Sequence, residues 1–91
     1  MNRNMRSAGD RILDAGFEDI IILKNFSYDS ALVGISDDNR AIYDYELMIE
    51  YLMEEEGWTE EESIDWLEYN TIRSLSYAGD RAPIIMHRLY F

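Results

Sequence analysis

The sequence contains no cysteine, a single proline and a single histidine, and none of its apolar runs is long. Without cysteine, neither disulfide bonds nor thiolate metal sites can supplement the core, which suits a reducing compartment. The longest apolar run, residues 20–23, is far too short to span a membrane. Charged residues and Gly9 interrupt the segment after the basic N-terminus, so no signal peptide is indicated. We expect a soluble, cytoplasmic protein that does not bind membranes.

Basic residues are scarce as well. The 91 residues include 8 Lys and Arg against 19 Asp and Glu, which gives a net charge of −11. Such an excess of negative charge opposes direct contact with nucleic acid or an anionic membrane, and it favours a basic partner. Solubility is the competing explanation of an acidic surface.

Histidine and cysteine, which most zinc sites and many nucleophilic mechanisms require, are almost absent. His87 is the only histidine, so a zinc site or a Ser–His or Cys–His mechanism lacks its usual components. The cluster Asp37-Asp38-Asn39 lacks the regular spacing and the closing glutamate of a calcium-binding loop. The sequence shows no glycine-rich phosphate loop. We therefore expect no enzyme activity, no cofactor and no bound metal.

The length predicts one domain, residues 1–91, and the first eight residues are expected to form a flexible tail. Ser7 or Asp10 is suited to cap a short helix that ends at Gly16. The isoleucine-rich segment Asp19–Lys24 is a strand candidate.

Residues 30–43 predict a β-hairpin with a turn longer than two residues. The segment Ile84–Tyr90, directly after Pro83, predicts a final strand.

Two principal helices are predicted between the hairpin and the final strand. Asp44 is a good N-cap for the first helix, and Gly57 is a natural C-terminal stop. Thr59 and Glu62 have the spacing of a capping box for the second helix, which is expected to reach Leu75 or beyond. Together these elements predict an α+β fold: a small, mostly antiparallel sheet of three or four strands with both helices packed on one face. The pattern does not specify the strand order.

Acidic residues are concentrated in one segment. Residues 44–68 contain eleven acids and no Lys or Arg, so this stretch carries a charge equal to that of the whole chain. Glu60 to Glu62 lie in a first helical turn, where carboxylates complement the helix dipole by about 0.3–1 kcal/mol each. Glu54 to Glu56 lie in a last turn, where the same dipole opposes them. A sequence selected only for stability would place lysines there, so the run suggests a function.

The density of these acids suggests that they mimic nucleic acid. Two adjacent helices, each about 19 Å long, would carry roughly one charge per 1.7 Å, the axial charge density of duplex DNA. Trp58, at the turn between the helices, would either anchor a partner or pack across the helix corner, and packing is favoured. Trp66, Tyr69 and Tyr51 are expected in the core or at its edge. The candidate partner-binding residues are Glu46, Glu50, Glu54, Glu55, Glu56, Trp58, Glu61, Asp65 and Glu68.

Several short motifs resemble a known group of sequences. They are Val33-Gly34, Arg40-Ala41, Tyr43-Asp44-Tyr45, Glu60-Glu61-Glu62, Tyr69-Asn70-Thr71-Ile72-Arg73 and Ala82-Pro83-Ile84-Ile85-Met86. They resemble a family of short, acidic, uncharacterised proteins from phages and mobile elements of Gram-positive bacteria. That resemblance implies no activity and no functional residues. In type, though not in motif, the chain is similar to anti-CRISPR proteins.

Two functions are favoured by these observations, and an antitoxin-like role is a third, weaker option. The leading hypothesis is an acidic inhibitor, such as a nucleic-acid mimic, that blocks a basic nucleic-acid-binding host defence protein, for example a CRISPR effector. The alternative is a small structural or adaptor protein of a phage or mobile element whose acidic face serves only solubility. Affinity that falls steeply with salt would distinguish the first from the second.

Overall fold

A computed structural model of the chain describes residues 7–24 and 28–90. It has the predicted α+β architecture, built from short helices and a three-stranded sheet. The elements in chain order are α1 (Ala8–Asp14), a 3₁₀ helix (Tyr28–Ala31), β1 (Leu32–Ile35), β2 (Ala41–Asp44), α2 (Tyr45–Glu56), α3 (Glu60–Trp66), a π-helix (Leu67–Ile72), a second 3₁₀ helix (Leu75–Arg81) and β3 (Ile84–Met86).

The sheet has the order β1-β2-β3, with β2 in the centre. β1 and β2 form the predicted antiparallel hairpin, in which Ile35 pairs with Ala41 and a bulge follows Leu32. β3 pairs with β2 in parallel, with Ile84 opposite Ile42. The three strands thus form a mixed sheet with one antiparallel and one parallel pair. A parallel pair requires a long crossover, and the helical segment between β2 and β3 provides it.

The hairpin turn is closed by short-range hydrogen bonds. The Ser36 N–H donates to the Arg40 carbonyl at 2.8 Å, and the Asn39 N–H donates to the Ser36 carbonyl at 2.9 Å. Asn39 has a positive φ of 62°, a conformation that asparagine tolerates better than most residues. Arg40 Nε donates to the Ala82 carbonyl at 2.8 Å, which joins this turn to the chain entering β3.

The prediction of a strand at Asp19–Lys24 is wrong, because the described residues there form no sheet ladder. Asp19 has a φ of 60°. The Leu23 N–H donates to the Tyr43 hydroxyl at 3.1 Å instead of pairing with a strand. Ile20, Ile22 and Leu23 pack against the core, so burial explains the apolar run without β-pairing. The last strand is also shorter than predicted: it ends at Met86.

The N-terminal helix begins at Ala8, within the tail predicted for residues 1–8. Ser7 is its N-cap, and the Ser7 hydroxyl accepts from the Asp10 N–H at 3.1 Å. Ala8 is buried in the core. Residues 1–6, the rest of the predicted tail, lie outside the described residues.

The predicted caps of the two principal helices are confirmed. The Asp44 carboxylate accepts from the Leu47 N–H at 3.2 Å, and Gly57 ends α2 in the left-handed conformation with φ 71°. At α3, the Glu62 N–H donates to the Thr59 hydroxyl at 3.1 Å. The Thr59 N–H donates to the Glu62 carboxylate at 2.9 Å, completing the capping box.

The second principal helix changes type after Trp66, although helical backbone runs past Leu75 as predicted, through residues 73–74 into the second 3₁₀ helix. It continues to Ile72 as a π-helix, in which backbone bonds span five residues rather than four. The Asn70 side-chain amide donates to the Trp66 carbonyl at 3.1 Å. In an α-helix this carbonyl would receive the Asn70 backbone N–H, so the side chain takes over that bond.

The core lies between α2, the first 3₁₀ helix, the hairpin and the second principal helix. The largest fully buried side chains are those of Tyr28, Tyr43, Met48, Leu52, Leu67 and Ser63. The Tyr28 and Thr71 hydroxyls lie 3.2 Å apart within this core. This hydrogen bond joins segments 43 residues apart.

Candidate functional site

The eleven acids of residues 44–68 separate into two groups in the structure. Four of their side chains accept hydrogen bonds: Asp44, Glu46, Glu62 and Glu68. The other seven are exposed, and within residues 7–24 and 28–90 none of them has a hydrogen bond or an ion pair. They are Glu50, Glu54, Glu55, Glu56, Glu60, Glu61 and Asp65.

The Gly57 turn brings most of the second group to one corner of the molecule. α2 and α3 pack against each other, and the turn between them is only three residues long. We define the acidic corner as Glu54, Glu55, Glu56, Glu60, Glu61 and Asp65. Because no described Lys or Arg forms an ion pair with these side chains, the corner presents its negative charge to solvent.

Asp44 has a structural role at the junction of three elements. Its carboxylate caps α2 and accepts a hydrogen bond from Arg88 Nε at 2.6 Å. The residue is only 3% exposed. Burial on its own raises the pKa of Asp44, but the hydrogen bonds from Arg88 and the Leu47 N–H hold that pKa below its ordinary value. This acid therefore stabilises the fold in its charged form.

Two proposed site residues are hydrogen-bonded by tyrosines. The Tyr90 hydroxyl donates to the Glu46 carboxylate at 2.8 Å. The Tyr45 hydroxyl donates to Glu68 at 2.8 Å, which links α2 to the π-helix. Burial of Tyr45 and the Glu68 carboxylate raise the pKa of Tyr45 to about 12. Glu46 and Glu68 thus already have partners within the fold.

A small groove lies between the two acidic helices. It has a volume of about 160 Å³ and is lined by Tyr45, Glu46, Ile49, Glu50, Met53, Glu60 and Ile64. Its walls combine apolar side chains with three glutamates from both helices. Carboxylates of α2 and α3 therefore meet across this groove.

A larger groove lies on the outer face of the second helix. We call it the aromatic groove; it has a volume of about 410 Å³ and is lined by Trp58, Glu62, Asp65, Trp66, Tyr69 and Asn70. The Trp58 and Trp66 ring centroids lie 6.0 Å apart. Trp58 is half-buried, so it packs across the helix corner while lining this groove.

Tyr69 is the most exposed aromatic residue of this groove. It is 69% exposed, which contradicts its predicted place at the core edge. Because the core face of the helix is taken by Ser63, Leu67 and Thr71, Tyr69 turns outward. The Arg73 guanidinium lies over its ring, 4.8 Å from the centroid, in a cation–π contact.

Five of the charged and aromatic residues that line these grooves were not among the predicted site residues: Tyr45, Glu60, Glu62, Trp66 and Tyr69. The sequence contains part of the missing signal, since Trp66 and Tyr69 are three residues apart and therefore share a helical face. In the sequence, the helix dipole accounts for the acidic residue Glu60 in the first turn of α3. Its place in the groove between the helices depends on how α2 and α3 pack, which the sequence pattern does not show.

No protein-family model, curated protein or solved structure matches the chain. Within the described ranges, no group of three or more His, Asp or Glu side chains is arranged to hold a metal ion. The helices in those ranges are too short or too polar to cross a lipid bilayer.

The position of the glutamates relative to the helix dipoles leads to a stability prediction. Replacing Glu55 and Glu56 by Lys at the end of α2 should raise the free energy of unfolding by about 0.5 kcal/mol or more, because lysines complement the C-terminal dipole. The matched control, Glu60 and Glu61 to Lys at the start of α3, should lower it by a similar amount. Urea melts of both double variants measure the difference. A clear loss of stability in the first variant would reveal native partners of Glu55 and Glu56.

Proposed function

We propose that this protein is an acidic inhibitor that binds a basic, nucleic-acid-binding host protein in place of its nucleic acid. The acidic corner would carry the contact. The supporting observation is that its six carboxylates are exposed and, in the described part of the chain, have neither hydrogen bonds nor ion pairs. Glu54 to Glu56 are placed there against the dipole of α2, so stability does not account for them.

The physical basis of this binding is electrostatic. A basic groove that accepts phosphates attracts any rigid surface with a similar density of negative charge. The caps at Thr59 and Gly57 fix the two helix ends, so the carboxylate-bearing backbone is ordered before binding. Such preorganisation reduces the entropy lost on association.

A host defence protein is the kind of partner that we favour. The resemblance to short phage proteins and the similarity in type to anti-CRISPR proteins support this choice, and CRISPR effectors have the basic nucleic-acid channel that the mechanism needs. Glu46, Glu50, Glu68 and Trp58 are secondary parts of the surface. To bind the partner, Glu46 and Glu68 would have to break their hydrogen bonds to Tyr90 and Tyr45.

The adaptor alternative retains one supporting observation. The aromatic groove could anchor a partner through apolar contacts, with the surrounding carboxylates serving only solubility. Affinity would then depend little on salt.

The experiment that tests the proposal uses the immobilised chain and a lysate of its host. The captured basic protein should be released by duplex DNA or by its own guide or substrate RNA, and its affinity should fall by about 10³-fold or more between 50 and 200 mM salt. A captured protein that resists both nucleic acid and salt would contradict the mimic and support the adaptor.

A further inference from the structure

The aromatic groove combines two kinds of cation-binding group on one helical face. Trp58, Trp66 and Tyr69 supply aromatic rings, while Glu62 and Asp65 supply carboxylates. Negative ring faces and carboxylates both attract cations, and both are strengthened when the cation is partly desolvated. Within the described chain, this is the groove that joins indole rings to acids.

The protein already shows this chemistry beside the groove. Arg73 lies over the Tyr69 ring at 4.8 Å. Tyr69 and Asp65 line both the aromatic groove and a neighbouring groove, whereas Arg73 lines only the neighbouring one. A cation in the aromatic groove would meet the Tyr69 ring and the Asp65 carboxylate, while Arg73 lies outside that groove.

We propose that the aromatic groove binds an arginine side chain of a basic protein partner. This inference rests on the proposed function for the nature of the partner, and it adds a specific contact to the electrostatic one. The groove lies directly beside the acidic corner, with which it shares Asp65. A basic segment that follows the corner would reach it.

Arginine fits the groove better than lysine for two reasons. The guanidinium is planar and weakly hydrated, so it stacks on aromatic rings at a lower cost in desolvation than an ammonium group. Its fork of N–H donors can bond a carboxylate in a bidentate manner. Asp65 is exposed and, among the described residues, has neither a hydrogen bond nor an ion pair, so it is the carboxylate that we expect to accept this bond.

The test uses octa-arginine and octa-lysine peptides as probes of equal charge. Titration calorimetry should show octa-arginine binding about fivefold more tightly than octa-lysine, because the guanidinium adds stacking on the rings and a bidentate bond to the carboxylate that an ammonium group lacks. In NMR spectra, the indole N–H signals of Trp58 and Trp66 should shift more with octa-arginine. Tyr69→Ala and Asp65→Asn should each reduce the preference for arginine towards one.

The control is Tyr77→Ala, since Tyr77 is 91% exposed and lies outside the groove. This variant should prefer octa-arginine over octa-lysine by the same factor as the wild type. Equal binding of the two peptides, or a preference that survives Tyr69→Ala, would overturn the arginine site, while leaving the salt-dependent inhibitor intact. A preference for arginine combined with a salt-insensitive host partner would instead uphold the groove and reject the mimic.

Discussion

Reversing four charges of the acidic corner should weaken binding to the basic partner by about a thousandfold, from a loss of roughly 1 kcal/mol per reversed contact. The changes are Glu55, Glu56, Glu61 and Asp65 to Lys. Each carboxylate that faced a basic group would become a like charge, so attraction would be replaced by repulsion. Affinity measured by calorimetry or surface plasmon resonance at low salt gives the answer.

A control with the same net charge separates this local effect from the overall field. Reversing the exposed acids Asp10, Glu18, Asp37 and Asp80 also changes the net charge from −11 by eight. This variant should lose far less affinity, because these acids lie outside residues 44–68. Equal losses in the two variants would mean that only the total charge matters. Unchanged affinity in the corner variant would mean that the acidic corner does not contact the partner and serves only solubility.

Asp44→Ala should lower the free energy of unfolding by about 2 kcal/mol, through the lost cap of α2 and the loss of a partly buried ion pair. Asn is as good an N-cap as Asp, so Asp44→Asn keeps the cap and loses only the charge. The loss in the Asn variant should be smaller than in the Ala variant. Urea melts at pH 7 provide both values.

The pH dependence of this stabilisation has a definite sign. Because the folded state lowers the pKa of Asp44, its contribution is complete above the ordinary carboxyl pKa of about 4 and is lost as the pH falls through the lower folded-state pKa. The stability difference between wild type and Asp44→Asn should therefore shrink as the pH falls below about 4. A difference that is the same at pH 7 and pH 3 would contradict the charge pair with Arg88.

Features that depend on neighbouring residues were predictable from the sequence. The caps at Asp44 and Thr59 and the stop at Gly57 use side chains and backbone within four residues, so the pattern specified both helix starts and the end of α2. The hairpin likewise followed from two short apolar runs around a polar turn.

Features that depend on distant residues were not predictable. The parallel pairing of β3 with β2 joins Ile42 to Ile84, and no local signal encodes it. The Ile-rich run after Asp19 has the composition of a strand, but the hairpin and β3 complete the sheet without it. In α3, nothing in the sequence marks the change to a π-helix after Trp66.

The same limit applied to the candidate site. Counting charged residues along the sequence identified the acidic segment, because such a count needs no knowledge of the three-dimensional structure. It could not show that Tyr45 and Tyr90 already bond Glu68 and Glu46, because those pairs join residues 23 and 44 positions apart. Nor could it show which aromatic residues would line a groove with Asp65.

The position of Arg11 has a consequence for self-association. Its guanidinium donates to the carbonyls of Asp29 and Leu32, both at 2.9 Å, at the start of β1. β1 is an edge strand of the sheet, and an open edge is a template on which another chain can add a strand. Arg11 occupies a carbonyl of β1 and places a positive charge at the start of this strand. The β1 edge of the sheet therefore carries its own barrier to edge-to-edge aggregation.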